Sequence, residues 1–186
     1  MKVRLNKARR FILDDIDISK VQKLHSILSY DGIKPSSLFP YHGCMELNPE
    51  FKRLKIEGLV KGYNDDHYVG FIGKDHRSLT NVVRSFSRVM KLIDVRNESD
   101  EWESEFGKVS YDLGFALGYP ETSIKAYLGE LERSKRKEPR YMGMIACYVR
   151  SEEFYDEEMK VAIAWRDHLK SNYPEFYSGY SKSCLR

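Results

Sequence analysis

Arg77-Ser78-Leu79-Thr80-Asn81-Val82-Val83-Arg84-Ser85-Phe86-Ser87-Arg88-Val89-Met90-Lys91-Leu92-Ile93 sets Leu79, Val82, Val83, Phe86, Val89, Met90 and Ile93 three and four residues apart. Apolar residues at that interval share one face of an α-helix, so the stretch predicts a long amphipathic helix with a buried stripe. Upstream, Leu54 to Tyr63 and His67 to Gly73 alternate instead, and Asn64-Asp65-Asp66 between them carries the side chains of tight turns. That pattern predicts a hairpin of two strands. Further out, Ser19 can cap a helix through Val21, Leu24, Ile27 and Leu28 that stops at Asp31-Gly32. Ile33 to Pro40, with Pro35 and Pro40, reads as a loop.

Downstream, the acid-rich run from Glu98 to Glu105 leads into a helix from about Trp102 to Leu117, and Gly118-Tyr119-Pro120 breaks it before another begins. Arg140 to Val149 reads as a strand, and Phe154, Val161, Trp165 and Leu169 form the stripe of a last helix ending near Tyr173-Pro174. Helices and strands mix without regular alternation. The expected class is therefore α+β, a small, mainly antiparallel sheet of three or four strands covered by four or five helices.

With 186 residues, 41% hydrophobic and 32% charged, the chain can bury a core, and it carries no repeat, low-complexity tract or linker. Residues 1–186 read as one domain, with 173–186 as a loosely packed tail. Apolar runs fall far short of the roughly 20 residues a membrane helix needs. The basic N-terminal stretch leads only into Phe11-Ile12-Leu13 before acidic residues, so a cytoplasmic location is expected. Cys44, Cys147 and Cys184 lack any C-x-x-C pairing and read as free thiols. A net charge of +3 is a slight bias towards anionic partners.

Three separated segments bear on function. They are His25 followed by Gly32-Ile33-Lys34-Pro35-Ser36-Ser37-Leu38-Phe39, then Leu113-Gly114-Phe115-Ala116-Leu117-Gly118-Tyr119-Pro120 with Ile124 and Tyr127, then Gly143 to Tyr148 before an acidic helix start. In order and spacing, from about residue 25 to 170, they resemble the uncharacterised domain-of-unknown-function family number 3793. The resemblance implies no activity, but it directs attention to the Lys34 loop and the Tyr119 turn. The chain departs from the family pattern at Ser26, where relatives place a cysteine after the early histidine; relatives also carry further cysteines near the C-terminus.

The loop from Gly32 to Ser37 combines an ammonium, two hydroxyls and backbone N–H groups, which is what a small-anion site needs. It can equally be a plain turn with a helix cap. Lys34 would supply charge, Ser36 and Ser37 hydrogen bonds, and Tyr119 a stacking wall, with His25 accompanying the loop. The leading expectation is a binding protein for an anionic small molecule, whether or not it also catalyses a reaction. No G-x-S-x-G, Ser-His-Asp order or Gly-rich nucleotide fingerprint is present, and no cofactor is indicated.

The alternative is a DNA-binding regulator. Leu113 to Leu128 has helix-turn-helix spacing around Gly118, with Thr122, Ser123 and Lys125 placed to reach base edges and Arg133, Lys135, Arg136 and Lys137 to grip phosphates. On the long helix Arg77, Arg84, Arg88 and Lys91 lie within about 60 degrees of one another, opposite the apolar stripe. Such a face can also be solvated, or pair with the acids from Glu98 to Glu105. His42, Cys44, Asp65, Asp66, His67, Asp75 and His76 supply ligand atom types without the spacing of a metal site, so no metal is assigned. Tyr173, Phe176, Tyr177 and Tyr180 could dock the tail on a partner or a second copy, making a homo-oligomer.

Overall fold

The computed structural model describes residues 6–15, 18–63, 69–96, 99–138 and 140–184. Asn6 caps a short helix α1 (Lys7–Arg10), which runs on as a π-helical turn through Phe11–Asp15. Ser19 and Gln22 form a reciprocal capping box at the start of α2 (Lys20–Tyr30). Gly32, at φ +78°, ends that helix, and the N–H groups of Ile33 and Lys34 both return to the carbonyl of Leu28.

The expected loop is in part a strand, β1 (Ser36–Pro40). Prolines forbid helix there, but Pro40 ends an edge strand, where its missing N–H removes no ladder bond. Leu54 to Tyr63 also divides differently from the expectation. Asn48 caps and Pro49 opens a helix, α3 (Pro49–Ile56), and only β2 (Val60–Tyr63) is strand. β3 (Val69–Gly73) lies between the other two in an antiparallel sheet of order β1-β3-β2. The Asn64-Asp65-Asp66 turn and His67 lie outside the described residues.

The two faces of this sheet feed two cores. Phe39 and Ile72 point into the main cluster with α2 and α3, while Leu38 and Phe71 face a smaller one with Leu79, Val82 and Leu117. The side chain of Asp75 accepts from the Ser78 N–H and so opens α4 (His76–Asp94), the long helix whose stripe covers that second face. Close approach in the sheet depends on small residues: a Cβ at Gly70 would meet the Phe39 ring at 2.3 Å.

α5 (Asp100–Ala116) packs along α4, with Trp102 Nε1 donating to the Leu92 carbonyl at 2.8 Å. After Gly118 comes α6 (Glu121–Leu128). The strand expected from Arg140 to Val149 is instead α7 (Arg140–Ala146). Its buried residues, Met142, Ile145 and Ala146, are spaced three and four apart, a helical interval hidden inside a short apolar run. α8 (Tyr155–Asn172) and α9 (Pro174–Cys184) close the chain.

The expected loose tail is packed. Tyr180 is fully buried in the main core, Tyr173 nearly so, and Phe176 and Tyr177 pack against the same cluster. These rings cover their own chain, so they are not the exposed docking strip the sequence suggests. Asp31 holds the ends together: its carboxylate accepts from Arg9 at 2.9 Å, His168 Nε2 at 2.8 Å and the Tyr173 hydroxyl at 2.6 Å. Among the described residues no helix is long and apolar enough to cross a membrane.

Tyr180→Ala, which empties a large fully enclosed site, is expected to cost about 3 kcal/mol in urea unfolding. A loss below about 0.5 kcal/mol would mean that the tail does not pack as described.

Candidate functional site

Gly118 brings the Lys34 loop and the Tyr119 turn together. It sits at φ +76°, and a Cβ there would lie 2.3 Å from Pro35 Cδ. On either side of that contact the Ser36 hydroxyl donates to the Ala116 carbonyl at 2.6 Å, and the Lys74 N–H donates to the Pro35 carbonyl at 2.9 Å. The end of α5 is thereby fastened to the start of β1.

Lys34 points inwards at this junction and is 2% exposed. Its Nζ lies 3.1 Å from His25 Nδ1, 5.2 Å from the Tyr119 ring centre and 4.9 Å from that of Trp165. His25 meets Trp165 edge-on at 6.0 Å, and Tyr148 closes the ring of aromatics, 5.6 Å from Tyr119 and 5.9 Å from Trp165. No carboxylate pairs with Lys34 among the described residues. Two forces oppose each other on this amine. The aromatic faces favour the ammonium by about 2 kcal/mol each at best, but burial strips its water. Burial wins and pushes the pKa from 10.5 down to about 7, with the neighbouring Cys147 acting the other way. The same burial raises the Tyr119 and Tyr148 phenols well above their usual range.

Tyr119 also lines a cavity of about 620 Å³ bounded by α4, α5, α6 and the end of α7. Val89, Leu113 and Ile124 give it apolar walls, and Ser123, Cys147 and Tyr148 also line it, the Tyr148 hydroxyl donating to the Glu158 carbonyl at 2.7 Å. Ser123 is 1% exposed, and its hydroxyl has no hydrogen-bond partner among the described residues. A buried hydroxyl left unbonded costs about 1 to 3 kcal/mol. Cys147 takes a left-handed conformation, φ +55°, as α7 ends, which turns Cys147 and Tyr148 together onto the cavity.

Of the residues singled out in the sequence, His25, Lys34 and Tyr119 meet. Ser36 is committed to Ala116, and Ser37 is buried 2% exposed with no bonded partner among the described residues; neither lines the cavity. Trp165, Cys147 and Tyr148 were missed as site residues. Trp165 looks like any core residue on its helix stripe, and reading Arg140 to Val149 as a strand would set Cys147 and Tyr148 on opposite faces. His25, Tyr119 and Cys147, from three separated segments of the sequence, lie around Lys34.

The residues of the DNA reading are placed otherwise. Ser123 faces inwards, Thr122 is half-buried, and Lys125 is tied to Glu121 at 2.7 Å. Arg133 donates to the carbonyls of Ala126 and Tyr127, and Arg136 pairs with Glu152 at 3.1 Å. α6 therefore presents no outward row of base-reading side chains. Arg88 pairs with Asp112 at 2.7 Å and Glu105 at 3.3 Å, whereas Arg77, Arg84 and Lys91 are exposed. Compared with models of protein families, with curated proteins and with solved structures, the chain matches none.

Gly118→Ala and Gly32→Ala both place a side chain at positive φ, but nothing lies within 4 Å of the added Cβ at Gly32. Gly118→Ala is expected to destabilise by roughly 1 to 3 kcal/mol more than Gly32→Ala in chemical unfolding. Equal losses would deny the Pro35 contact any energetic role.

The amine also predicts a pH dependence. Above about pH 7 folded Lys34 is neutral while the unfolded lysine keeps its proton up to 10.5. The unfolded state binds more protons in that window, so stability should rise with pH. Relative to Lys34→Met, the wild type should gain about 1.4 kcal/mol per pH unit from about pH 7.5 to 10 and show no trend below about pH 6.5. Parallel curves for the two proteins would mean that the amine titrates normally.

Proposed function

We propose that this chain is a cytosolic binding protein for a small amphipathic anion, whose apolar body occupies the cavity and whose head group lies at the Ser123 and Tyr119 end, in the field of Lys34. The observation that carries this reading is an apolar cavity, lined in part by Ser123 and Cys147, whose Tyr119 wall covers a buried amine. Pockets for small molecules have this make-up, a few hundred cubic ångströms of apolar wall with a small number of placed polar groups. Lys34 acts from behind Tyr119 rather than as a direct contact, and His25 and Trp165 hold it there. The duplex-reading alternative is less well supported, because the side chains it needs on α6 are buried or paired.

An amine with a pKa near 7 is about half protonated at neutral pH. An anion nearby stabilises the ammonium, so binding takes up a proton and strengthens as pH falls. Carboxylates with an aromatic or short aliphatic body, screened by thermal shift and followed by calorimetry, should bind about tenfold or more tightly at pH 6 than at pH 8.5. Lys34→Met should abolish that pH dependence, and Ser123→Val should weaken binding by about tenfold at both pH values. If no ligand in the screen responds to Lys34→Met, Ser123→Val or Tyr119→Ala, the cavity is not the site.

A further inference from the structure

A second groove, of about 610 Å³, runs between α4 on one side and the end of α3 with β2 on the other. α4 supplies His76, Thr80, Arg84, Ser87 and Lys91, which fall in a stripe about 80 degrees wide and about 22 Å long. Lys55 and Lys61 come from the facing wall, and Val60, Leu79 and Val83 make the floor. Among the described residues no Asp or Glu lines it. Two of its cations are already engaged, Lys55 with Glu46 at 2.8 Å and Arg88 with Asp112 at 2.7 Å. Lys61, Arg84 and Lys91 are exposed and form no ion pair among the described residues.

We propose that this groove seats one phosphodiester strand of a double-stranded nucleic acid, with Lys61, Arg84 and Lys91 each neutralising a phosphate. Arg84 and Lys91 stand two turns apart on α4, about 10 Å along its axis, and Lys61 stands on the facing wall. That distribution suits a line of repeating charges and not a single compact anion. Guanidinium and ammonium groups both match phosphate oxygens, and Ser87 adds a hydroxyl between them. Among the described residues no Phe, Tyr or Trp lines the groove, and His76 is its one aromatic ring. A single strand gains much of its binding energy by stacking bases on aromatic rings, so a paired duplex that presents only its backbone fits better. Such contacts position the protein without reading sequence. The site shares no residue with the small-molecule cavity and stands independently of that reading.

The test is fluorescence anisotropy of the full chain with a labelled duplex of about 20 base pairs, titrated over a range of potassium chloride. Three neutralised phosphates give a slope of log K against log salt of about −2.7, or about a fortyfold loss between roughly 50 and 200 mM. Arg84→Gln alone should reduce the slope by about one. The triple reversal Lys61→Glu, Arg84→Glu, Lys91→Glu should bring the slope close to zero. A control of equal charge, Lys7→Glu, Lys160→Glu, Lys170→Glu, should leave it unchanged, with circular dichroism verifying that both variants fold. Equal loss in the control, tighter binding of the matching single strand than of the duplex, binding of tripolyphosphate alone, or no duplex binding at low salt would each overturn the proposal.

Discussion

Gly118 packs against Pro35 with no room for a Cβ, and everything at the candidate site depends on that contact. It can form only because glycine accepts a positive φ and offers bare backbone to the proline ring. With the two loops in contact, Ser36 reaches the carbonyl at the end of α5, and the Lys34 side chain has no route to solvent. Tyr119, the next residue after the glycine, is then obliged to lie over the amine on one side and along the cavity on the other. One steric constraint thus joins the sheet core, the α5–α6 corner and the site.

Burying an amine without a carboxylate is expensive. The fall in pKa from 10.5 to about 7 amounts to about 5 kcal/mol at roughly 1.4 kcal/mol per pH unit. That exceeds the attraction of either aromatic face, so the site holds Lys34 near its titration point instead of fully charged. An arrangement that served packing alone could use methionine or leucine at this position at no such cost. The Asp31 cluster is the opposite case: its carboxylate is nearly enclosed, but it gathers Arg9, His168 and Tyr173 and so ties both ends of the chain to α2. Its partners satisfy it, which makes it structural.

Long periodic elements were legible from sequence. The stripe from Leu79 to Ile93, the Ser19 cap and the stop at Gly32 all specify local conformation through contacts a few residues apart, and each stands where expected. Short apolar runs were not legible. In α7 the helical spacing of Met142, Ile145 and Ala146 spans only one turn, and alternation across the same residues mimics a strand. β1 was hidden because two prolines speak against helix without speaking for a sheet, and only pairing with β3 decides the matter. The aromatic tail read as available surface, since burial of Tyr180 comes from α7 and α8 folding back over it.

By itself the sequence determined the α+β class, the amphipathic α4 and two loops rich in groups that can recognise an anion, because composition and local periodicity carry that information directly. Only the tertiary structure decided that Lys34 lies under Tyr119 and Trp165, that Ser123 lies buried in a cavity wall while Ser36 is committed to Ala116, and that Lys61 stands across a groove from Arg84 and Lys91. Those outcomes depend on which surfaces are excluded from water together. Residues more than 80 positions apart meet at Lys34, and no local pattern in the chain encodes such a meeting.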